Sequence, residues 1–218
     1  MALAIFDLDN TLLAGDSDHA WGEFLVAKGI VDAELYKQAN DQFLKDYQTG
    51  DLDIQAYLEF ALQPLINQPL SKLHALREDF FETKIKPIML PKGKELLQFH
   101  RNNGDFLLII TATNRFVTEI IAQAFEVDDL IATEPEIINE QYTGKVAGTP
   151  SFKEGKITRL YEWLKDKEHK LSGAFFYSDS HNDIPLLELV DFAVAIDPDD
   201  ILREKSEQNK WPIQSLRD

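Results

Sequence analysis

Four short runs in this chain are built from apolar and aromatic residues and stop at a polar one. Ala2-Leu3-Ala4-Ile5-Phe6 ends at Asp7, Phe106 to Ile110 at Thr111, Ala174 to Tyr177 at Ser178-Asp179, and Phe192 to Ile196 at Asp197. Each run is too short for a core helix and has no polar face, so each reads as a strand covered on both sides. Leu130-Ile131-Ala132 is a weaker candidate. Between the runs lie helical stripes. Phe116, Val117, Ile120, Ile121, Ala124 and Phe125 follow Asn114 as N-cap, and Ile157, Leu160, Tyr161 and Leu164 follow Ser151-x-x-Glu154, which reads as a capping box. Strand–helix–strand alternation from about residue 90 predicts an α/β fold, a Rossmann-like doubly wound parallel sheet. Residues 134–146, with Gly144, fit a short hairpin.

Residues 16–87 differ from the rest and contain no good strand candidate. Ile54, Tyr57, Leu58, Ala61, Leu62 and Leu65 form one helical stripe, Leu73, Leu76, Phe80 and Phe81 a second, and Trp21, Phe24 and Leu25 suggest an earlier helix. This stretch reads as an all-helical insert of roughly four helices. It joins a core made of residues 1–15 and 88–218 near Leu13–Asp16 and Lys86–Pro91, where Pro87 and Pro91 break the helix. The aromatic positions of the insert are expected to be core.

With 22 Lys+Arg against 38 Asp+Glu, the 218-residue chain has a formal net charge of −16, which repels nucleic acid and anionic lipid. The absence of cysteine excludes disulfides, thiolate metal sites and a cysteine nucleophile. No apolar run approaches membrane-spanning length, and Asp7 and Asp9 interrupt the N-terminal one at once, so neither a membrane span nor a signal peptide is expected and cytoplasmic residence is the default. The expected partner is a small molecule, with the chain a monomer or homodimer.

Ligands in open α/β sheets bind beyond the carboxyl ends of the strands. Three polar clusters follow the runs there: Asp7-Leu8-Asp9-Asn10-Thr11, Thr111-Ala112-Thr113-Asn114 and Ser178-Asp179-Ser180-His181-Asn182-Asp183. Folding would gather Asp7, Asp9, Asp179 and Asp183 in one cleft, where unpaired carboxylates repel one another. A hard cation relieves this repulsion, and a ligand set of oxygens without histidine or thiol favours Mg²⁺ over zinc. Such an ion recruits a phosphate, for which Lys153 or Lys156, the Thr111 hydroxyl and backbone N–H groups after Asp7 are available donors.

These features together resemble the haloacid dehalogenase superfamily: D-x-D-x-T at residues 7–11, Thr111 at a strand end, a lysine at a helix start, and D-x-x-x-D from Asp179 to Asp183. The insert is similar to that family's C1 cap, and the stretches around Thr111 and Asp179 resemble its phosphoserine phosphatase-like branch. The resemblance implies a phosphomonoesterase. Asp7 would be the nucleophile, and Asp9 the acid for the leaving alkoxide and then the base for water. Asp7, the Asp9 carbonyl and Asp179 would hold Mg²⁺ with Asp183 close behind, while Thr111, Asn182 and a lysine bind phosphate. Lys156, 23 residues before Asp179 and preceded by Gly155, suits this better than Lys153, which would then be a solvated lysine. Asp at position 9 favours phosphatase chemistry over dehalogenation, because halide leaves without a proton.

His181 is expected to face solvent, and Asp16, Asp18, Asp51 and Asp53 to be solvated or to cap helices. Asp16 and Asp18 should also lie where insert meets core, and the spacing of Asp16 from Asp7 resembles that of the acid that grips the substrate ammonium in phosphoserine phosphatases. That family's cap arginine for a substrate carboxylate has no counterpart here. An amino alcohol phosphate such as histidinol phosphate therefore fits. A phosphotransferase using an alcohol acceptor, and a catalytically idle binding module on the same fold, are the alternatives.

Overall fold

The computed structural model describes residues 2–217. Its strands are β1 (Leu3–Phe6), β2 (Phe106–Asn114), β3 (Asp129–Thr133), β4 (Pro135–Ile138), β5 (Gln141–Val146), β6 (Phe175–Ser178), β7 (Phe192–Ile196) and β8 (Ile213–Gln214). Six of them form one sheet in the order β3-β2-β1-β6-β7-β8, with every neighbouring pair parallel. β4 and β5 form the expected hairpin. The short apolar runs become strands because both faces are covered. Ala4 and Phe6 enter one core cluster, and Leu3 and Ile5 enter another on the opposite face. The order reverses at β1, which lies between β2 and β6, so a crevice opens beyond the carboxyl end of β1.

Between β1 and β2 run α1 (Ser17–Ala27), α2 (Ala33–Thr49), α3 (Ile54–Leu62), α4 (Leu70–Phe80) and α5 (Pro91–Asn102). Asp16, Asp32 and Asp53 cap the first three, Asp16 and Asp53 each accepting from two backbone N–H groups of the opening turn and Asp32 from Leu35 N–H. The two legs of this excursion are tied together. Ala14 N–H donates to Ile88 O at 2.8 Å and Leu90 N–H to Leu12 O at 3.1 Å, around an antiparallel bridge of Leu13 with Met89. α1 and α4 are fused to the sheet's own core: Trp21 packs on Phe24, Phe80 and Phe116, the last from α6 (Arg115–Ala124). α2 differs, since the only residue it buries fully is Asn40. The remaining helices are α7 (Glu154–Leu164), α8 (Ile184–Leu187) and α9 (Asp200–Asn209).

Two local expectations are corrected. β2 does not stop at Ile110 but continues to Asn114 after a register shift, because Asn114 still pairs with Thr133. Asn114 caps α6 as expected, accepting from Val117 N–H at 3.2 Å. The Ser151–Glu154 capping box does not form. The chain turns at Lys153 into a left-handed conformation, and the buried Ser151 hydroxyl has no partner.

Behind β1, fully buried His100 bonds through Nε2 to the Tyr177 hydroxyl (2.8 Å) and through Nδ1 to Asp105 (2.9 Å). Asp105 also accepts from Ala2 N–H at 2.8 Å. Burial pushes the Asp105 carboxyl up, but the bonds from His100 and Ala2 outweigh it and hold it below the usual carboxylate value of 3.8. A depressed carboxylate stabilises the fold above its unfolded value and loses that contribution as pH falls through its folded value. Asp105→Asn is expected to unfold more easily than the native chain at pH 7. The gap should narrow below about pH 4, measured as urea midpoints across the acid range.

Candidate active site

The turn after β1 carries Asp7, whose N–H donates to Tyr177 O at 2.9 Å and fixes it between β1 and β6. The Lys156 ammonium, on the first turn of α7, lies between two carboxylates: 2.7 Å from Asp7 Oδ1 and 2.8 Å from Asp183 Oδ2. All three side chains are almost wholly buried. The Ser178 hydroxyl also donates to Asp183 Oδ2, at 2.7 Å. Burial lowers the proton affinity of Lys156, but Asp183 and Asp7 outweigh it and keep the amine charged. Gly155 is required beside it, because a β-carbon there would collide with the Pro150 carbonyl.

Asp9 is held by both of its oxygens. Oδ1 accepts from Ser17 N–H at 2.6 Å and Oδ2 from the Thr113 hydroxyl at 2.8 Å. Burial, and then the charge of Asp16, push its pKa up to about 7. Burial does the same to Asp7, against the pull of Lys156. Asp179, which accepts from Thr11 Oγ1 at 2.9 Å, is raised well above the ordinary value by burial and by Asp7. Thr111 is buried, and its hydroxyl accepts from Thr113 N–H at 3.2 Å. Asn182 donates to Ser180 Oγ (3.2 Å) and Tyr47 O (3.4 Å), while its buried Oδ1 has no partner.

Thus one crevice holds Asp7, Asp9, Thr111, Lys156, Asp179, Asn182 and Asp183. Among the described residues no three His, Cys, Asp or Glu side chains form a ready metal cage; one oxygen on each of Asp7, Asp183 and Asp179 is bonded to Lys156 or Thr11. The donor chemistry nonetheless suits a hard cation. Buried carboxylates that raise one another's proton affinity lie beside an unpartnered amide oxygen, with no nitrogen or sulfur ligand among them.

The cavity above Asp7 is walled by Asp9, Thr111, Asp16, Asp18, His19, Asn40, Phe43, Tyr47, Tyr57 and Phe152 among others, and none of its lining residues is Lys or Arg. Asp18 accepts from the Tyr57 hydroxyl and from Asn114 Nδ2 (3.4 Å), and burial pushes it up to about 7. Asp18 is therefore no solvated charge. Asp16 caps α1 and faces the same space.

Three further expectations are overturned. His181 does not face solvent freely, because its Nδ1 lies 2.7 Å from Asp199 Oδ2. Lys153 is not a solvated lysine, because its ammonium donates to Gly50 O at 2.8 Å. Phe43, Tyr47 and Tyr57, grouped with the insert's core, line the cavity instead. The i, i+4 spacing of Phe43 and Tyr47 was the available signal, since α2 has little apolar face of its own.

The sequence profile of the haloacid dehalogenase-like hydrolases matches residues 4–188. The chain belongs to that family. It is 42% identical over 219 residues to a histidinol-phosphatase of Neisseria meningitidis serogroup C (strain 8013), covering 99% of each chain. It is 31% identical to phosphoserine phosphatase SerB1 of Mycobacterium tuberculosis, with 99% of this chain and 71% of that one aligned. A crystal structure of a Bordetella pertussis Tohama I protein superposes with a TM-score of 0.92 at 40% identity, covering 99% of this chain and 98% of that one. A phospho-aspartyl intermediate analogue of a phosphoserine phosphatase shares the fold, with a TM-score of 0.71 at 18% identity and 99% and 93% of the two chains covered. The family member described here is a phosphatase on the phosphoserine phosphatase-like branch. Among the described residues no helix is long and apolar enough to cross a membrane.

Removing the Lys156 ammonium would leave Asp7 and Asp183 buried against each other without a counter-charge. Lys156→Met is expected to cost roughly 3 kcal/mol in urea unfolding at pH 7 and to abolish phosphatase activity.

Proposed function

We propose that this phosphatase is a Mg²⁺-dependent phosphomonoesterase of the cytoplasm. In this reading it hydrolyses a small amine-bearing alkyl phosphate, of the histidinol phosphate or phosphoserine type, through a phosphoryl group carried on Asp7. The observation that carries the reading is the Lys156 ammonium, 2.7 Å from Asp7 Oδ1. It pulls the Asp7 proton affinity back down, against burial, in an acidic crevice where a phosphate must also enter.

Asp7 attacks phosphorus through a carboxylate oxygen, the ester P–O bond breaks, and Asp9 gives its proton to the departing alkoxide. Water then attacks the phosphoryl group on Asp7 while Asp9 takes one of its protons, releasing phosphate and restoring Asp7. A raised proton affinity at Asp9 suits both halves, because the group must begin protonated and end ready to accept. Ser17 N–H and Thr113 Oγ1 hold its two oxygens in place. Thr111 and Asn182 bind the phosphoryl oxygens, and Lys156 balances their charge. Asp7, the Asp9 carbonyl and Asp179 would hold Mg²⁺, with Asp183 behind them, and the ion would neutralise phosphoryl charge.

Asp16 acts on Asp9 electrostatically and faces the same cavity, which favours an ammonium on the carbon next to the ester carbon. A substrate carboxylate would meet Asp16 and Asp18 with no Lys or Arg in the lining. This favours histidinol phosphate over phosphoserine, and the likeness to the Neisseria histidinol-phosphatase supports it.

A panel of metabolite phosphates with Mg²⁺ tests the proposal, and Asp7→Asn should show no turnover of any of them. Asp16→Asn keeps the helix cap but removes the charge. It should lower kcat/KM for histidinol phosphate roughly ten- to hundredfold, the loss of one charged contact, and affect p-nitrophenyl phosphate far less, since that ester has no ammonium and its weakly basic leaving group needs little help from Asp9. Unchanged preference for amine-bearing esters would refute the role of Asp16.

A further inference from the structure

The cavity is closed on one side by the C-terminal end of α2, an element that buries no apolar side chain fully. Apolar packing alone therefore holds this end weakly. Polar contacts gather there instead. Asn182 Nδ2 donates to Tyr47 O at 3.4 Å, and the Tyr47 hydroxyl lies 3.4 Å from Ser180 Oγ. The Tyr47 ring centroid is 6.0 Å from that of Phe152, and both rings line the cavity. Gly50 ends α2 in a left-handed turn (φ 79°), and a β-carbon on it would come within 3.0 Å of His181 Nε2. Asp199 fixes His181 from the other side.

The strongest of these contacts is the bond from Lys153 Nζ to Gly50 O, 2.8 Å long and joining residues 103 apart. The last turn of α2 contains no basic residue of its own, so this ammonium meets the exposed carbonyls and the negative end of the helix. The backbone of Lys153 is itself unusual, with φ 47° and ψ −123°, a conformation that costs a residue bearing a β-carbon about 1–3 kcal/mol. Glycine would occupy it without strain.

We infer that Lys153 is a positioning residue, a strap whose ammonium ties the end of α2 to the loop that opens α7 and so holds the cavity shut over Asp7. Lys156 lies three residues further on, one turn into the same helix, so closure at Gly50 and the charge beside Asp7 share one short segment. The strap acts on whatever ester the site takes, and its loss is readable without turnover.

The test is hydrogen exchange of the Gly50 and Asp51 amides, which bond to Tyr47 O and Asp46 O in the closing turn. Lys153→Met should speed their exchange roughly three- to tenfold, as expected for loss of one charged hydrogen bond at a partly exposed site, with the β1 and β2 amides unchanged. KM for p-nitrophenyl phosphate should rise by a similar factor, and Lys153→Arg should restore both readings. Lys153→Gly should melt within about 2 °C of the native chain, because strain relief offsets the added chain entropy, yet exchange as fast as Lys153→Met. Unchanged exchange at Gly50 and Asp51 in Lys153→Met would overturn the inference. So would faster exchange throughout the sheet, which would make Lys153 a support of the whole fold, or a fall in kcat with exchange unaltered, which would place it in the chemistry.

Discussion

One ammonium makes the rest of this site tenable. Asp7 and Asp183 are almost fully buried, Asp179 lies beside them, and the chain as a whole carries a formal net charge of −16. Without an internal counter-charge Asp7 would take up a proton more readily still, and would be lost as the nucleophile proposed for it. Lys156 supplies that charge at 2.7 and 2.8 Å from two of them, and the reciprocal attraction keeps the amine protonated despite its burial. The cost of burying three charged groups is offset only because their geometry is tight and Ser178 satisfies a remaining lone pair of Asp183. Residues 150–155 exist in their cramped form to deliver this group. Gly155 packs onto the Pro150 carbonyl, and the chain accepts strain at Lys153 immediately before α7 begins.

The helices inserted between β1 and β2 divide into two kinds. α1 and α4 share a continuous aromatic core with the sheet's covering helix α6 through Trp21, Phe80 and Phe116. That half is rigidly joined, and it carries Ser17 and Asp16, which bond to and act electrostatically on Asp9. α2 and α3 pack on each other through Tyr36, Phe43, Tyr57 and Phe60; α3 joins the common core through Leu62, while the C-terminal end of α2 makes polar contacts with Ser180 and Asn182. In the proposed reading the first half sets the acid at Asp9, and the C-terminal end of α2, a helix that buries no apolar side chain fully, covers the ester.

The sheet and the acidic crevice were legible in the sequence for a simple reason. A strand buried on both faces must be apolar throughout, so Ala2–Phe6 and Phe106–Ile110 could be nothing else, and the polar residues that end them must then share one rim. What stayed hidden depends on contacts between segments remote in sequence. Lys153 and Lys156 are chemically identical and three positions apart. The direction of the α7 backbone sends one to Asp7 and the other to Gly50. The Ser151–Glu154 pattern is a sound local signal for a cap, but the left-handed turn at Lys153 overrides it. His181 has no sequence neighbour to bind, and only the fold brings Asp199 to its ring. Tyr57 looks like core from its place in the α3 stripe, because a helix that covers a cavity shows the same stripe as one that covers a sheet.

The polarity of the cavity is the last consequence of the same electrostatics. At its floor the Thr111 hydroxyl suits an anion, with the Lys156 ammonium behind Asp7, whereas Asp16 and Asp18 stand on its wall. Burial pushes both wall carboxylates toward protonation against the hydrogen bonds they accept, so a cation beside them would favour their anionic forms. A substrate carrying phosphate at one end and ammonium a short distance away satisfies both ends at once. A substrate with a second anion in place of the ammonium meets like charge in a site of low dielectric, where such repulsion is strongest. In the proposed reading, discrimination by these acids is therefore built as much on rejection as on attraction, and the absence of Lys and Arg from the lining leaves that rejection unrelieved.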